Sequence, residues 1–180
     1  LNGSNTGDND LYAKITYNGG ATSIVKSGSG KWRIWGTNTY TGGTTINAGT
    51  VEVREDSAFG YSPSVTTLAG GTLILGIDQL YVQSKVNVTG TISVTSSYNV
   101  GFDSEIYGSG TINNSVSTGK TLSIAGDVTS FTGTINHSQG YLRFTSASSA
   151  GNADNLVINL NGTGILTTRF APASIVDIGA

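Results

Sequence analysis

The sequence of 180 residues contains no cysteine and no methionine, and it has only 2 prolines. Without cysteine, disulfide bonds and thiolate metal sites are excluded, and a chain exported through an oxidising compartment has no thiol to form a premature bond. Charged residues are scarce as well, at 11%. A disordered chain of similar polarity would be richer in lysine, glutamate and proline, so this composition indicates a folded protein.

Basic residues are few and are not clustered. The formal net charge is −2, and the 9 Lys and Arg residues are scattered along the chain. Nucleic-acid binding requires grouped basic side chains that neutralise phosphates, so nucleic acid is excluded as a partner. The sequence has no run of about 18 apolar residues, so we expect no direct insertion into a membrane.

Glycine, threonine, serine and asparagine instead make up almost half of the chain. In residues 28–53, glycines and an Asn-Thr-Tyr sequence separate two short segments, 31–35 and 50–54, in which alternate residues are apolar. Such alternation predicts strands that bury one face, and the glycines predict sharp turns between them. We expect Asn38 to close one of these turns with its own side chain.

Strand-like segments continue along the whole chain, including residues 11–17, and no amphipathic helix is present. One strand unit cannot bury enough area to fold alone, so we expect the units to stack as a β-solenoid. With three faces and roughly 20–23 residues in each coil, the chain would form about eight coils. The residues predicted to form one continuous interior are Trp32, Ile34, Ile46, Val51, Val53, Leu73, Leu75, Leu122, Ile124, Ile135, Leu142, Phe144, Ile158 and Leu160.

An internal repeat supports stacking. Residues 28–75 are echoed by residues 121–166 at an offset of about 91 residues, with alternating strands and turns of the same type in both copies. We therefore expect residues 1–180 to form one domain, in which Trp32 and Leu122 occupy equivalent positions.

Residues 28–53 resemble the autotransporter-associated β-strand repeat of large secreted bacterial surface proteins, and residues 121–144 resemble it less closely. The resemblance implies a right-handed parallel β-helix at the cell surface or outside the cell, which projects, adheres or associates with itself. It implies no catalytic centre, cofactor or metal. The residues that carry the motif are Gly28, Gly30, Trp32, Ile34, Gly36, Asn38, Thr39, Tyr40, Gly42, Gly43, Thr44, Thr45, Ile46, Gly49, Thr50, Val51 and Val53.

An alternative to a structural or adhesive segment is a β-helix protein that binds or cleaves glycans. Such enzymes use acidic and basic clusters on one exposed face, and Glu52, Glu55 and Asp56 lie close in sequence, as do Asp103 and Glu105. We interpret these carboxylates as solvated strand and turn residues, and we predict no enzymatic activity. A subunit of an extracellular filament is a further alternative.

Residues 8–10 and His137 can be considered as a calcium site and a catalytic residue, and the sequence gives little support for either role. Residues 8–10, Asp-Asn-Asp, are similar to the start of a calcium loop, but the glycine and glutamate that should follow are missing. His137 is the only histidine, and without a nucleophile motif it is predicted to lie at the surface, in a turn.

Aromatic residues near the motif are candidates for an exposed binding site. Trp35 lies on the opposite parity to Trp32, so it is predicted to face outward unless residues 54–64, an irregular segment, cover it. An exposed Trp35 beside Tyr40 and Tyr61 would stack on a sugar ring or enter a partner interface. We expect the partners to be other copies of the chain, another surface protein or a glycan.

Overall fold

The structure is a computed structural model that describes residues 1–60, 63–145, 156–168 and 178–179. These residues form strands and turns, and none of them is helical. The strands are β1 (Asn9–Leu11), β2 (Ile24–Lys26), β3 (Lys31–Ile34), β4 (Thr44–Ile46), β5 (Thr50–Val53), β6 (Val65–Leu75), β7 (Leu80–Val82), β8 (Lys85–Ser96), β9 (Val100–Phe102), β10 (Ile106–Gly108), β11 (Thr111–Val116), β12 (Thr121–Ile124), β13 (Thr134–Gln139), β14 (Tyr141–Phe144), β15 (Val157–Leu160), β16 (Ile165–Thr168) and β17 (Ile178–Gly179).

The strands form three faces. The first face contains β2, β4, β10 and the first halves of β6 and β8. The second face contains β1, β3, β5, the second halves of β6 and β8, and then β11, β13, β15 and β17. The third face contains β7, β9, β12, β14 and β16.

Neighbouring strands within each face are parallel, because the chain visits the faces in turn and returns one rung further along. This arrangement is a β-solenoid of about seven turns. The all-β parallel solenoid predicted from the sequence is therefore confirmed, with slightly fewer turns than the eight expected.

One apolar interior runs through the stack, as alternation predicted. Inward-facing residues lie above one another in register, so each is covered by the rungs on both sides and excluded from water. The predicted core residues that are fully buried are Ile34, Ile46, Val51, Val53, Leu73, Leu75, Leu122, Ile124, Ile135, Leu142, Phe144 and Ile158.

Two predicted core residues are less buried than expected. Trp32 is half-buried, because its register partner on one side is Val51 but on the other side is the polar Asn9. Leu160 packs against the core and is also only partly buried. Both residues face the interior, so the side of the strand on which each lies was predicted correctly.

In the early turns, residues 1–60 and 63–75, the structure describes no strand on the third face. Residues 54–60 are irregular, as predicted, yet Ala58 and Phe59 within them are buried and contribute to the core.

Residues 11–17 form a strand only up to Leu11, so the longer predicted strand is wrong. Beyond Leu11 the backbone N–H of Ile15 donates to the Asn38 side chain at 2.7 Å, which replaces a strand ladder.

The two copies of the sequence repeat lie on different faces. Trp32 is in β3 of the second face, whereas Leu122 is in β12 of the third face. Ile46 lies on the first face and its counterpart Ile135 on the second. The expectation that the copies occupy equivalent positions is therefore wrong, because apolar alternation is the same on every face and does not specify which face a strand joins.

The turn after β4 shows why the motif requires glycine. Gly49 has φ +72, and a Cβ there would collide with the carbonyl oxygen of Gly28 and the ammonium of Lys26. Lys26 is fully buried, and its Nζ donates to the carbonyl oxygens of Ser27, Gly28 and Ala48 at 3.1, 2.8 and 2.9 Å. Burial lowers the pKa of Lys26, and these carbonyls satisfy the ammonium in place of water.

Candidate functional site

The candidate site is the outer surface of the second face where β1, β3 and β5 lie side by side. Asp10 pairs in register with Arg33, and Arg33 with Glu52, so their outward side chains form a column. Adjacent parallel strands are about 4.8 Å apart, so like charges in such a column would repel strongly. The alternation of sign instead places opposite charges next to one another along the column.

Arg33 holds two carboxylates. Its Nε and one terminal nitrogen donate to the two oxygens of Asp10, each at 2.6 Å, and its other terminal nitrogen lies 2.8 Å from Asp8. The bidentate bonds from Arg33, with a bond from the Trp35 indole, lower the pKa of Asp10 to about 2. A hydrogen bond from Lys31 lowers the pKa of Asp8.

These pairings replace the calcium loop considered for residues 8–10. The carboxylates of Asp8 and Asp10 form ion pairs with the side chains of Lys31 and Arg33. Within the described ranges, no group of three or more His, Cys, Asp and Glu side chains is arranged to hold a metal ion.

Glu52 is the least exposed charge in the column, with 6% of its side chain accessible. Its carboxylate lies 2.7 Å from the Lys31 ammonium and also forms an ion pair with Arg54. Arg54 donates a second bond to the carbonyl of Gly76 at 2.9 Å, while its Nε is buried without a hydrogen-bond partner in the described part of the chain. Removing either cation from a buried carboxylate would strongly destabilise the fold, because the buried charge would lose a partner.

An aromatic pair lies beside the charges. The rings of Tyr12 and Trp35 stack with centroids 5.5 Å apart, and Tyr12 is 66% exposed. The guanidinium carbons of Arg54 and Arg33 lie 5.2 and 5.7 Å from the Trp35 ring centroid, within cation–π range. The indole N–H of Trp35 donates to Asp10 at 2.8 Å. The stacked pair is therefore held rigidly against the column and presents Tyr12 to solvent.

The structure places the three predicted aromatic residues differently. Trp35 faces outward as predicted, and it is half-buried under Tyr12 and Arg54. Tyr40 was predicted to be exposed, and this is wrong: it is fully buried, because the segment that carries it turns inward in place of a third strand. Its hydroxyl bonds to Thr44, and burial raises its pKa to about 12. Tyr61 lies outside the described residues.

The Asn-Thr-Tyr part of the motif is structural. Asn38 was predicted to close its own turn, and this is wrong: its side chain links neighbouring turns of the solenoid. Its side-chain oxygen accepts from Ile15 at 2.7 Å, and its side-chain nitrogen donates to the carbonyl of Ala58 at 2.7 Å. Asn38 is fully buried, so it supplies hydrogen bonds that a missing strand would otherwise provide.

Three of the five carboxylates considered for catalysis, Glu52, Asp56 and Glu105, have structural partners. Glu52 is in the ion pairs above, Asp56 accepts the backbone N–H of Tyr81 at 2.8 Å, and Glu105 lies 2.8 Å from the Lys85 ammonium. Asp103 is exposed, and partial desolvation raises its pKa, with a smaller contribution from Asp56. The contacts of Glu52, Asp56 and Glu105 therefore give these three carboxylates structural roles.

His137 was expected at the surface and is fully buried in β13. Its Nδ1 is 2.8 Å from the side-chain nitrogen of Asn114, and its Nε2 is 3.0 Å from the carbonyl of Gly140. Asn114 therefore donates to Nδ1, and Nε2–H donates to the carbonyl. Desolvation lowers the pKa of His137. The alternation with Ile135 was the signal in the sequence that could have placed it inside.

Comparison with known proteins locates the repeat. Residues 24–53 match the model of the passenger-associated-transport-repeat family. These residues are an autotransporter passenger-type repeat. The chain is also 34% identical, over 145 residues, to a protein named Adhesin BmaC autotransporter from Brucella suis biovar 1 (strain 1330). That match covers 79% of this chain and 4% of the relative. No solved structure matches the chain.

A helix able to span a membrane is absent from the described residues.

Proposed function

We propose that this passenger-type segment is a non-enzymatic, adhesive part of a bacterial protein displayed at the cell surface or outside the cell. The observation that carries the proposal is the similarity to an autotransporter adhesin over most of this chain. The stacked pair of Tyr12 and Trp35 supplies a contact point, because a rigid aromatic ring backed by arginines loses little entropy when a partner covers it.

Adhesion of coated beads tests the proposal. Beads that carry the chain should attach to cultured epithelial cells more than albumin-coated beads do. Replacing Tyr12 by Ser should reduce attachment several-fold, because the exposed ring is lost while its surroundings stay folded. Tyr17→Ser is the matched control, since Tyr17 is 55% exposed and Tyr12 66%. Attachment equal to that of albumin-coated beads would overturn the adhesive role.

The enzymatic alternative is tested by turnover. We expect no cleavage of plant or bacterial polysaccharides, since Glu52 and Asp56 are occupied by partners of the fold. Turnover that disappears in Glu52→Gln or Asp56→Asn, with the variants still folded, would show that the segment is an enzyme.

Self-association is a second candidate, favoured by exposed apolar side chains. Val157 and Ile165 are 44% and 47% exposed, and Val25 is 47% exposed near the opposite end of the stack. Light scattering over a concentration series should then detect oligomers that Val157→Lys and Ile165→Lys abolish. A monomer at the highest concentration would exclude autonomous assembly of this segment.

A further inference from the structure

A groove of about 470 Å³ lies on the outer surface of the second face, over β8, β11 and β13. It is on the same face as the charged column but several turns away from it. Every described residue that lines the groove is a serine, a threonine or an asparagine. Among the residues that the structure describes, the lining therefore contains no charged, aromatic or aliphatic side chain.

A β-bulge shapes the groove. Asn114 of β11 pairs with His137 of β13, but the next residue, Ser115, pairs with Gln139, so Ser138 is an extra residue in β13. The Ser138 hydroxyl donates to the carbonyl of Asn114 at 3.3 Å. Bulges bend the strand and re-aim its side chains, and they are enriched beside functional sites. The buried pair of Asn114 and His137 lies directly beneath this bulge and fixes it.

A ladder of asparagines orders the polar groups of the groove. Asn159 donates to Asn136, and Asn136 donates to Asn113, each at 2.8 Å. Both bonds run in the same direction, which fixes the orientation of each amide. An amide has two N–H groups and two lone pairs, so the ladder leaves donors and acceptors available to a ligand. Because these amides are held in place, a ligand would not have to order them on binding.

We propose that this groove binds a neutral oligosaccharide. Sugar hydroxyls both donate and accept hydrogen bonds, which matches a lining of amides and hydroxyls. An anionic glycan would require lysine or arginine in the lining, and a protein partner would require the apolar or aromatic anchors that dominate protein interfaces. The inference rests on the proposed adhesive function and names a ligand class for it at a second position on the surface.

Binding of defined glycans tests the inference. The chain is titrated calorimetrically with neutral oligosaccharides of glucose, galactose, mannose and N-acetylglucosamine, and with a heparin oligosaccharide as the anionic comparison. We expect binding to at least one neutral probe and none to heparin. Asn136→Asp and Ser115→Arg should each weaken that binding at least about tenfold, or ~1.4 kcal/mol, by adding a charge or filling the groove.

The matched control is Asn47→Asp, in the exposed turn after β4, which should bind as the unaltered chain does. Circular dichroism checks that all variants fold. If no neutral oligosaccharide binds, or if all variants bind equally well, the proposal that this groove binds a neutral oligosaccharide is wrong. The bead assay separates the two proposals: adhesion through Tyr12 without neutral-glycan binding refutes the groove alone, whereas glycan binding without adhesion refutes the adhesive role alone.

Discussion

The second face carries two columns of outward side chains that solve the same stacking problem differently. In the early turns, Asp10, Arg33 and Glu52 follow one another, and the signs alternate. In the later turns, Asn113, Asn136 and Asn159 follow one another, and the residue type repeats. A carboxylate only accepts hydrogen bonds and a guanidinium only donates, so a charged column must alternate. An amide does both, so it can stack on copies of itself.

The difference has consequences for stability and for binding. The charged column is attractive only while all of its members stay ionised and solvent ions do not screen them. The asparagine column has no charge and does not depend on pH or salt in this way. The charged column is therefore expected to respond to acid and salt, whereas the asparagine column presents neutral side chains at any pH or salt concentration.

The largest effect should come from removing the cations around Glu52. In the double variant Lys31→Met and Arg54→Met, a carboxylate with 6% of its side chain exposed would lose both cations that form ion pairs with it. We expect the free energy of unfolding to fall by about 3 kcal/mol, measured by urea denaturation. Adding Glu52→Met should recover most of the loss, because an apolar group then replaces the unpaired charge.

The matched test in the neutral column is the double variant Asn113→Met and Asn136→Met. It removes two interstrand amide bonds, from Asn136 to Asn113 and from Asn159 to Asn136, and leaves no charge unpaired, so the loss should stay at about 1–2 kcal/mol. If the two double variants lose equal stability, the contrast between a charged column and an amide column is wrong.

The next effect concerns the buried pair beneath the groove. Asn114 and His137 stand in an inward column whose neighbours are Val94 and Leu160. His137→Leu leaves the Asn114 amide unpaired and should cost about 1–3 kcal/mol. The double variant Asn114→Leu and His137→Leu continues the apolar column and should restore stability. A double variant that is no more stable than the single one would show that the pair does not act as a unit.

The pair also predicts a dependence on pH. The pKa of His137 is lowered in the folded state, so the unfolded chain binds more protons as the pH falls below the usual histidine value of about 6.5. Stability should therefore decrease as the pH falls from 7 towards the lowered pKa. Thermal unfolding at a series of pH values measures this, and the slope in that range should be absent in the double leucine variant.

Much of the fold was predictable because alternation determines which side chains face inward. Ile34, Val53 and Leu75 were placed in the core correctly. Alternation does not specify which face of the solenoid a strand joins. The prediction that Trp32 and Leu122 occupy equivalent positions was therefore wrong. Alternation also does not reveal turns that fold inward, which is why Tyr40 was expected at the surface.

The candidate site was less predictable because its parts come from separate turns. Trp35 was identified from its parity, but its partner Tyr12 follows a strand that ends earlier than predicted. The ion pairs of Asp10 and Glu52 depend on the register between strands that are distant in sequence. Register is set by stacking of whole turns, which no local pattern in the sequence specifies.

The smallest expected effect is a local one, a change in the fluorescence of Trp35 at low pH. Its indole donates to Asp10, whose pKa of about 2 lies below the value of about 3.9 in an unfolded chain. The ion pair of Asp10 therefore contributes its full stability above pH 4, and this contribution is lost as the pH falls towards 2. In a Trp32→Phe background, the fluorescence of Trp35 should change over this range, separately from the titration of His137.

Two controls determine whether that signal belongs to the charged column. Asp10→Asn should remove the change between pH 4 and pH 2, because no group beside the indole then titrates there. At 1 M salt, where the screening length is about 3 Å, the signal of the unaltered column should move partway towards that of the Asn variant before any acid is added. Fluorescence that is constant to pH 2 and insensitive to salt would mean that Trp35 is held by Tyr12 alone, and that the charges of the early turns do not fix the aromatic pair.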